Sequence, residues 1–120
     1  MGVTHVTTQV LNLSRTGESY EAEFLVDTGA IDCTAPKDEL ERIGIQKEGE
    51  SVYESANGEV VEYELGLARI AFMGQETVSQ IIFGPEGVEP ILGVVVLENL
   101  GFVVDPVSKQ LKRLAAKPLK

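Results

Sequence analysis

Hydrophobic and polar positions alternate along much of this chain with a period of two, which predicts strands rather than helices. Tyr20, Ala22, Phe24 and Val26 alternate with Glu21, Glu23 and Leu25, the pattern of a half-buried strand. A less regular strand is expected over residues 3–13, around Val6 and Val10, with a turn at Arg15-Thr16-Gly17-Glu18 between the two. Residues 51–63 read as a hairpin turning at Asn57-Gly58, a dipeptide suited to a type I′ turn because both central residues need positive φ. Residues 67–72 and 78–83 read as two further strands joined through Met73-Gly74-Gln75. Residues 102–104 and 110–114 read as closing strands around Asp105-Pro106, and the tail from Ala115 to Lys120 as frayed. Two short helices interrupt this series. One spans residues 36–44, with Pro36 in its first turn, acids following and Gly44 as its stop; the other spans residues 94–100 and stops at Gly101. A weak internal echo runs through the pattern, because strand, tight glycine loop, short helix and glycine stop occur at Phe24–Gly44 and again from Ile91 to Gly101.

Composition narrows the function classes. A chain of 120 residues with 43% hydrophobic content favours one domain with one core, taken as residues 1–120. The formal net charge of -9 argues against nucleic acid and anionic membranes as partners, and permits neutral or basic peptides. Cys33 is the one cysteine, so no intrachain disulfide is expected and a reduced, cytoplasmic setting is the default. No signal peptide is expected, and the longest apolar stretch, Ile91 to Leu97, is far short of the roughly 20 residues of a membrane helix.

The chemistry centres on Asp27. It directly follows the apolar run Phe24-Leu25-Val26, so its carboxylate enters a loop at the edge of the core, where a charge needs partners. Thr28 offers a hydroxyl and Gly29 permits a sharp loop with close approach of backbone amides. Taken alone, Asp-Thr-Gly is a weak signal and reads more readily as an ordinary turn. Other chemistries lack parts. His5, the one histidine, reads as a strand surface residue, and Cys33 as a small core residue after the glycine loop. One His and one Cys do not make a usual zinc site, and no glycine-rich phosphate loop is present, so neither metal nor cofactor is expected.

Three features in order resemble the retropepsin-like aspartic proteases, the single-domain type of retroviral and some bacterial enzymes. They are Phe24-Leu25-Val26-Asp27-Thr28-Gly29-Ala30, the hairpin around Asn57-Gly58 at the place of the family's flap, and Pro90-Ile91-Leu92-Gly93 followed by a short helix and Leu100-Gly101-Phe102-Val103-Val104-Asp105. The resemblance covers the chain from its first strand to Leu114. It implies an all-β, closed-barrel acid-protease fold with one or two short helices and a flap hairpin. It also implies a homodimer that cleaves peptide or protein substrates at one shared site, each subunit giving one Asp27. By the same resemblance Thr28, Gly29 and Ala30 support the catalytic loop, with Thr28 bonding its counterpart in the other subunit. Ala56, Asn57 and Gly58 at the flap tip, with Asp32 and Ile91 in the cleft, contact substrate.

The chain departs from the family pattern at three places. Retroviral enzymes commonly follow the loop Ala with an acid, paired with an Arg after the second motif's Gly; here these positions are Ile31 and Val94, apolar together. The flap lacks a Gly-Gly tip. Asp32 reads either as a residue meeting substrate or as a solvated loop acid. The leading reading is an aspartic endopeptidase. The alternatives are a non-catalytic peptide-binding or dimerisation module of the same fold, and a regulatory β-barrel domain of a larger chain.

Overall fold

A computed structural model of the chain describes residues 4–119. The strands are β1 (His5–Leu11), β2 (Tyr20–Val26), β3 (Cys33–Pro36), β4 (Lys47–Glu54), β5 (Val60–Phe72), β6 (Gln75–Gly84), β7 (Ile91–Leu92), β8 (Phe102–Val104) and β9 (Leu111–Arg113), with helices α1 (Lys37–Arg42) and α2 (Val94–Leu100). Six strands follow one another in the order β1-β2-β7-β3-β6-β5, and β5 returns to pair with β1, closing a barrel. Closure is antiparallel, with Val10 opposite Ile70. A closed sheet leaves no open edge in this ring. β4 stands outside it, bonded among the described residues to β5 alone, and β8 and β9 form a separate two-stranded sheet.

The alternation anticipated in β2 is realised. Phe24 is fully buried while Glu21 and Glu23 are exposed. Phe24 joins Val10, Ile70, Ile81 and Leu92 in the core, together with Leu40 of α1 and Val96 and Leu97 of α2. Full burial of a side chain such as Phe24 stabilises the fold by about 1.5–3 kcal/mol. β7 lies between β2 and β3, parallel to the first (Leu25 beside Ile91, Val26 beside Leu92) and antiparallel to the second. The two halves of the sequence echo therefore lie side by side.

Several elements differ from the sequence expectation. The first strand begins at His5 and ends at Leu11, with Val3 outside the described residues. Pro36 ends β3 with φ -60° and ψ 134° instead of opening a helical turn, so α1 begins one residue later. Residues 60–72 form one unbroken strand where the pattern read two, because Gly66 sits inside it. A Cβ there would lie 2.5 Å from the Gln46 carbonyl oxygen, so glycine serves close packing at the β4 bulge rather than ending a strand.

The flap turn is not type I′. Gly58 has φ +87°, but Asn57 is not among the non-glycine residues with positive φ. Instead the Gly58 N–H donates to the Ser55 carbonyl at 2.9 Å and the Ser55 N–H to the Glu59 carbonyl at 2.7 Å, a three-residue loop with glycine in the left-handed position. The dipeptide with positive φ at both residues is Met73-Gly74, at 51° and 76°, between the paired Phe72 and Gln75. In the tail, the Lys117 ammonium donates to the Asn99 carbonyl near the end of α2 at 2.7 Å, so the segment is tied to the helix rather than frayed. Lys120 lies outside the described residues. No helix among the described residues is long and apolar enough to cross a membrane.

Candidate active site

The loop carrying Asp27 is built by interlocking two segments far apart in sequence. The parallel β2–β7 ladder runs on past Val26: the Leu25 N–H donates to Pro90 and the Asp27 N–H to the Leu92 carbonyl, at 2.9 and 3.1 Å. The chain then turns sharply, with the Ala30 N–H donating back to the Asp27 carbonyl at 3.1 Å. Beyond the turn, the Ala30 and Ile31 carbonyls accept from the Val94 and Val95 N–H groups, at 2.7 and 3.2 Å. Helix α2 has no side-chain cap at its first residue. Its leading N–H groups, which have no partner within a helix, are satisfied by the Asp27 loop instead.

Gly93 is the close point of this interlock. A Cβ on it would lie 2.5 Å from the Ile31 oxygen and 2.6 Å from the carbonyl carbon and oxygen of Asp32. Its N–H donates to the Cys33 sulfur at 3.5 Å. Burial pushes the Cys33 thiol up to about 12, so it stays protonated and serves as packing, as expected of a small core residue. His5 is likewise an exposed strand residue, with Nε2 3.2 Å from a Glu89 carboxylate oxygen.

Asp27 is half-buried at the crown of the loop. One carboxylate oxygen accepts the Gly29 N–H at 2.9 Å, and a side chain at Gly29 would crowd that oxygen at 3.2 Å. The carboxylate opens into a cleft of about 780 Å³ between this loop and the β4–β5 hairpin. Of the residues singled out in the sequence, Asp27, Gly29, Ala30, Asp32, Ala56 and Ile91 line this cleft. Thr28 is exposed on the loop, and Asn57 and Gly58 are exposed at the hairpin tip; none of the three belongs to the lining. The Asn57 side chain accepts the Glu59 N–H at 3.1 Å and the Ser55 hydroxyl, so it braces the turn itself.

Asp32 is not a solvated loop acid. It is only 7% exposed, accepts the Tyr53 hydroxyl at 2.6 Å, and has the Gln80 side-chain amide 3.4 Å from both carboxylate oxygens. Burial, and then the Asp32 carboxylate, raise the Tyr53 phenol well above its ordinary range, so it remains a hydrogen-bond donor. Tyr53 and Tyr63 face each other across the hairpin with ring centroids 6.2 Å apart, and both line the cleft. Sequence reasoning passed over them as site residues. Their signal was present: two aromatic residues on the inner face of a hairpin whose other positions are mostly acidic or small. Thr34, Ile82 and Val88 complete the wall from β3, β6 and the loop before β7, contributions that only the barrel closure reveals.

Comparison with solved structures gives the same architecture. A retropepsin-like aspartic protease from Rickettsia conorii superposes with a TM-score of 0.60 at 20% identity, covering 87% of this chain and 77% of that one. The EIAV protease complexed with the inhibitor HBY-793 gives 0.59 at 20% identity, covering 83% and 89%. The retroviral protease-like domain of Ddi1 from Leishmania major gives 0.52 at 14%, covering 96% and 92%. These likenesses establish an all-β retropepsin-like fold with a closed six-strand barrel and two short helices. Comparison with curated protein sequences finds no significant match. The family model described as "gag-polyprotein putative aspartyl protease" matches residues 15–99, a span holding both the Asp27 loop and most of α2, and the chain therefore belongs to that family of aspartyl proteases.

Proposed function

We propose that the protein is an aspartic endopeptidase, active as a homodimer whose single site is shared between two copies of the Asp27 loop. One observation carries the reading. Each chain holds one carboxylate on a hydrogen-bonded glycine loop, facing a cleft roofed by a hairpin. A carboxylate pair of this family needs a second copy, and the loop beside Asp27 presents Ile31, 63% exposed, as apolar surface for it to cover.

In the dimer, two carboxylates in close approach cannot both ionise readily, so they share one proton and titrate as a pair. The charged Asp27 takes a proton from a water molecule, while the partner's protonated Asp27 donates a hydrogen bond to the scissile carbonyl. The water oxygen bonds to the carbonyl carbon and gives a tetrahedral diol. A carboxyl then protonates the amine nitrogen, the carbon–nitrogen bond breaks, and the acids have exchanged roles. The chain needs no metal for these steps. The hairpin, closing over the peptide, excludes water and strengthens the electrostatics of the site. Thr28, Gly29 and Ala30 shape the loop; Asp32, Ile91 and the flap-tip residues Ala56, Asn57 and Gly58 meet the peptide.

The test is turnover of unfolded protein or peptides at mildly acidic pH by purified protein, with inhibition by a pepstatin-type transition-state mimic. Asp27→Asn is expected to abolish cleavage while leaving the fold intact; equal cleavage by both proteins refutes the reading. The apolar pair Ile31 and Val94, in place of acid and arginine, favours a second reading, a peptide-binding module without turnover. Saturable peptide binding that survives Asp27→Ala, with no product formed, identifies that outcome.

A further inference from the structure

The outer part of the β4–β5 hairpin is weakly held. Val52, Glu54, Ala56, Asn57, Val60 and Val61 are all exposed, and among the described residues β4 pairs with no strand except β5. The pairing of β5 with β6 begins only at Leu65, opposite Ile82. Beyond that point the hairpin projects past the barrel without backbone support. Among the described residues, one side-chain hydrogen bond joins residues 48–63 to the rest of the molecule: the Tyr53 hydroxyl to the Asp32 carboxylate, at 2.6 Å. Its acceptor is well anchored. Asp32 is buried, Gln80 of β6 approaches both its oxygens, and its backbone packs directly on Gly93. It lies on the same loop as Asp27, whose carbonyls at Ala30 and Ile31 are fixed by α2.

A buried carboxylate facing two neutral donors has no cation within ion-pairing distance among the described residues. Losing either donor leaves charge unsatisfied in a poorly solvated place, which makes the bond costly to break. Such a bond suits a fastening between a loosely supported hairpin and a rigid loop. Tyr53 lies two residues before the Ser55–Glu59 tip, close enough to orient it, and its ring lies against that of Tyr63 on the other hairpin strand.

We propose that Tyr53 is a positioning residue of this site, its hydroxyl latching the hairpin through Asp32 to the loop that carries Asp27, so that the flap is held over the cleft before a peptide arrives. This rests on the reading of the cleft as a peptide-cleaving site, but the latch itself is measurable without turnover. When the latch is absent the closed arrangement is a smaller fraction of the population, and apparent affinity falls by that fraction. Peptide binding then weakens more than the chemical step does.

The experiment places a nitroxide on Ala56→Cys, the buried and protonated Cys33 remaining unlabelled, and reads paramagnetic broadening of the Gly29, Ala30 and Ile31 amides across the cleft. Tyr53→Phe is expected to relieve at least half of that broadening. Asp32→Asn, which removes the charge but keeps an oxygen to accept the hydroxyl, is expected to relieve no more of it than Tyr53→Phe does, and the double variant to be no looser than Tyr53→Phe alone. Unchanged broadening in Tyr53→Phe, or a double variant looser than Tyr53→Phe alone, overturns the latch. In cleavage assays Tyr53→Phe should raise KM about tenfold with kcat changed less than threefold. A fall confined to kcat counts against it. If the parent protein cleaves nothing, the protease reading fails while the broadening still decides whether the latch exists.

Discussion

At the residue scale the decisive position is Gly93. It has neither charge nor hydrogen-bonding side chain, yet it sets how closely the Asp27 loop and α2 approach, because the atoms a Cβ would meet are all backbone. Gly93→Ala must push the loop away. We expect it to lower stability by about 1–3 kcal/mol, measured by urea unfolding. Peptide turnover should fall by about 100-fold, since displacement of a catalytic group by about 1 Å has that effect. Glu76 supplies a second prediction. Its carboxyl is held below the usual range chiefly by the hydrogen bond from Arg15, aided by Arg69, at 2.5 and 3.2 Å. The folded value lies below the unfolded one. The stabilisation is therefore complete above the ordinary value of 4.5 and is lost as pH falls through the lower folded value. The stability difference between the parent and Glu76→Gln should be present at pH 7 and vanish in acid, as unfolding curves across pH will show. Arg15, the main partner, is more than half exposed, so the difference will be small.

At the element scale, β5 is one strand with two environments. Val60–Glu64 serve the projecting hairpin and are mostly exposed, whereas Leu65, Ala68, Ile70 and Phe72 are buried in the barrel wall. Amide hydrogen exchange should follow this division, slow at Ala68 and Ile70 and faster by orders of magnitude at Val61 and Glu62. Uniform protection along the strand would contradict the weak support assigned to the hairpin. The same strand shows where sequence reading reached its limit. Alternation located both halves but not their continuity through Gly66, whose close packing against Gln46 is a contact across strands. Asn57-Gly58 likewise marked the right turn and the wrong type. The Asn57 side chain bonds the Glu59 N–H and stabilises a three-residue loop, an option that the dipeptide alone does not exclude.

At the scale of the whole molecule, the proposed activity depends on assembly. Ile31 is 63% exposed beside Asp27, so a second copy covering it removes apolar surface from water. Ile31→Asp should weaken the dimer by at least about tenfold, because it sets a charge where an apolar contact forms. Sedimentation over a range of concentrations measures this, and activity per chain should fall in parallel on dilution. A variant that stays monomeric yet fully active would remove the shared-site reading. The absence of any lysine or arginine from the cleft lining among the described residues, in a chain of net charge -9, leads us to expect faster capture of basic peptides at low salt.

The sequence by itself determined the local units: β2 from its period-two alternation, α2 from its apolar run and Gly101 stop, and the exposed loop at Asp27-Thr28-Gly29. These follow from near-neighbour chemistry, which a linear pattern records. It also carried the order of motifs that marks the family. Only the tertiary structure decided that β7 enters between β2 and β3, that the carbonyls after Asp27 cap α2, and that Asp32 is buried under Tyr53 and Gln80. Those contacts join residues up to 66 positions apart, as between Leu25 and Ile91. Closing the barrel creates them, and no local periodicity encodes which distant backbone groups will meet.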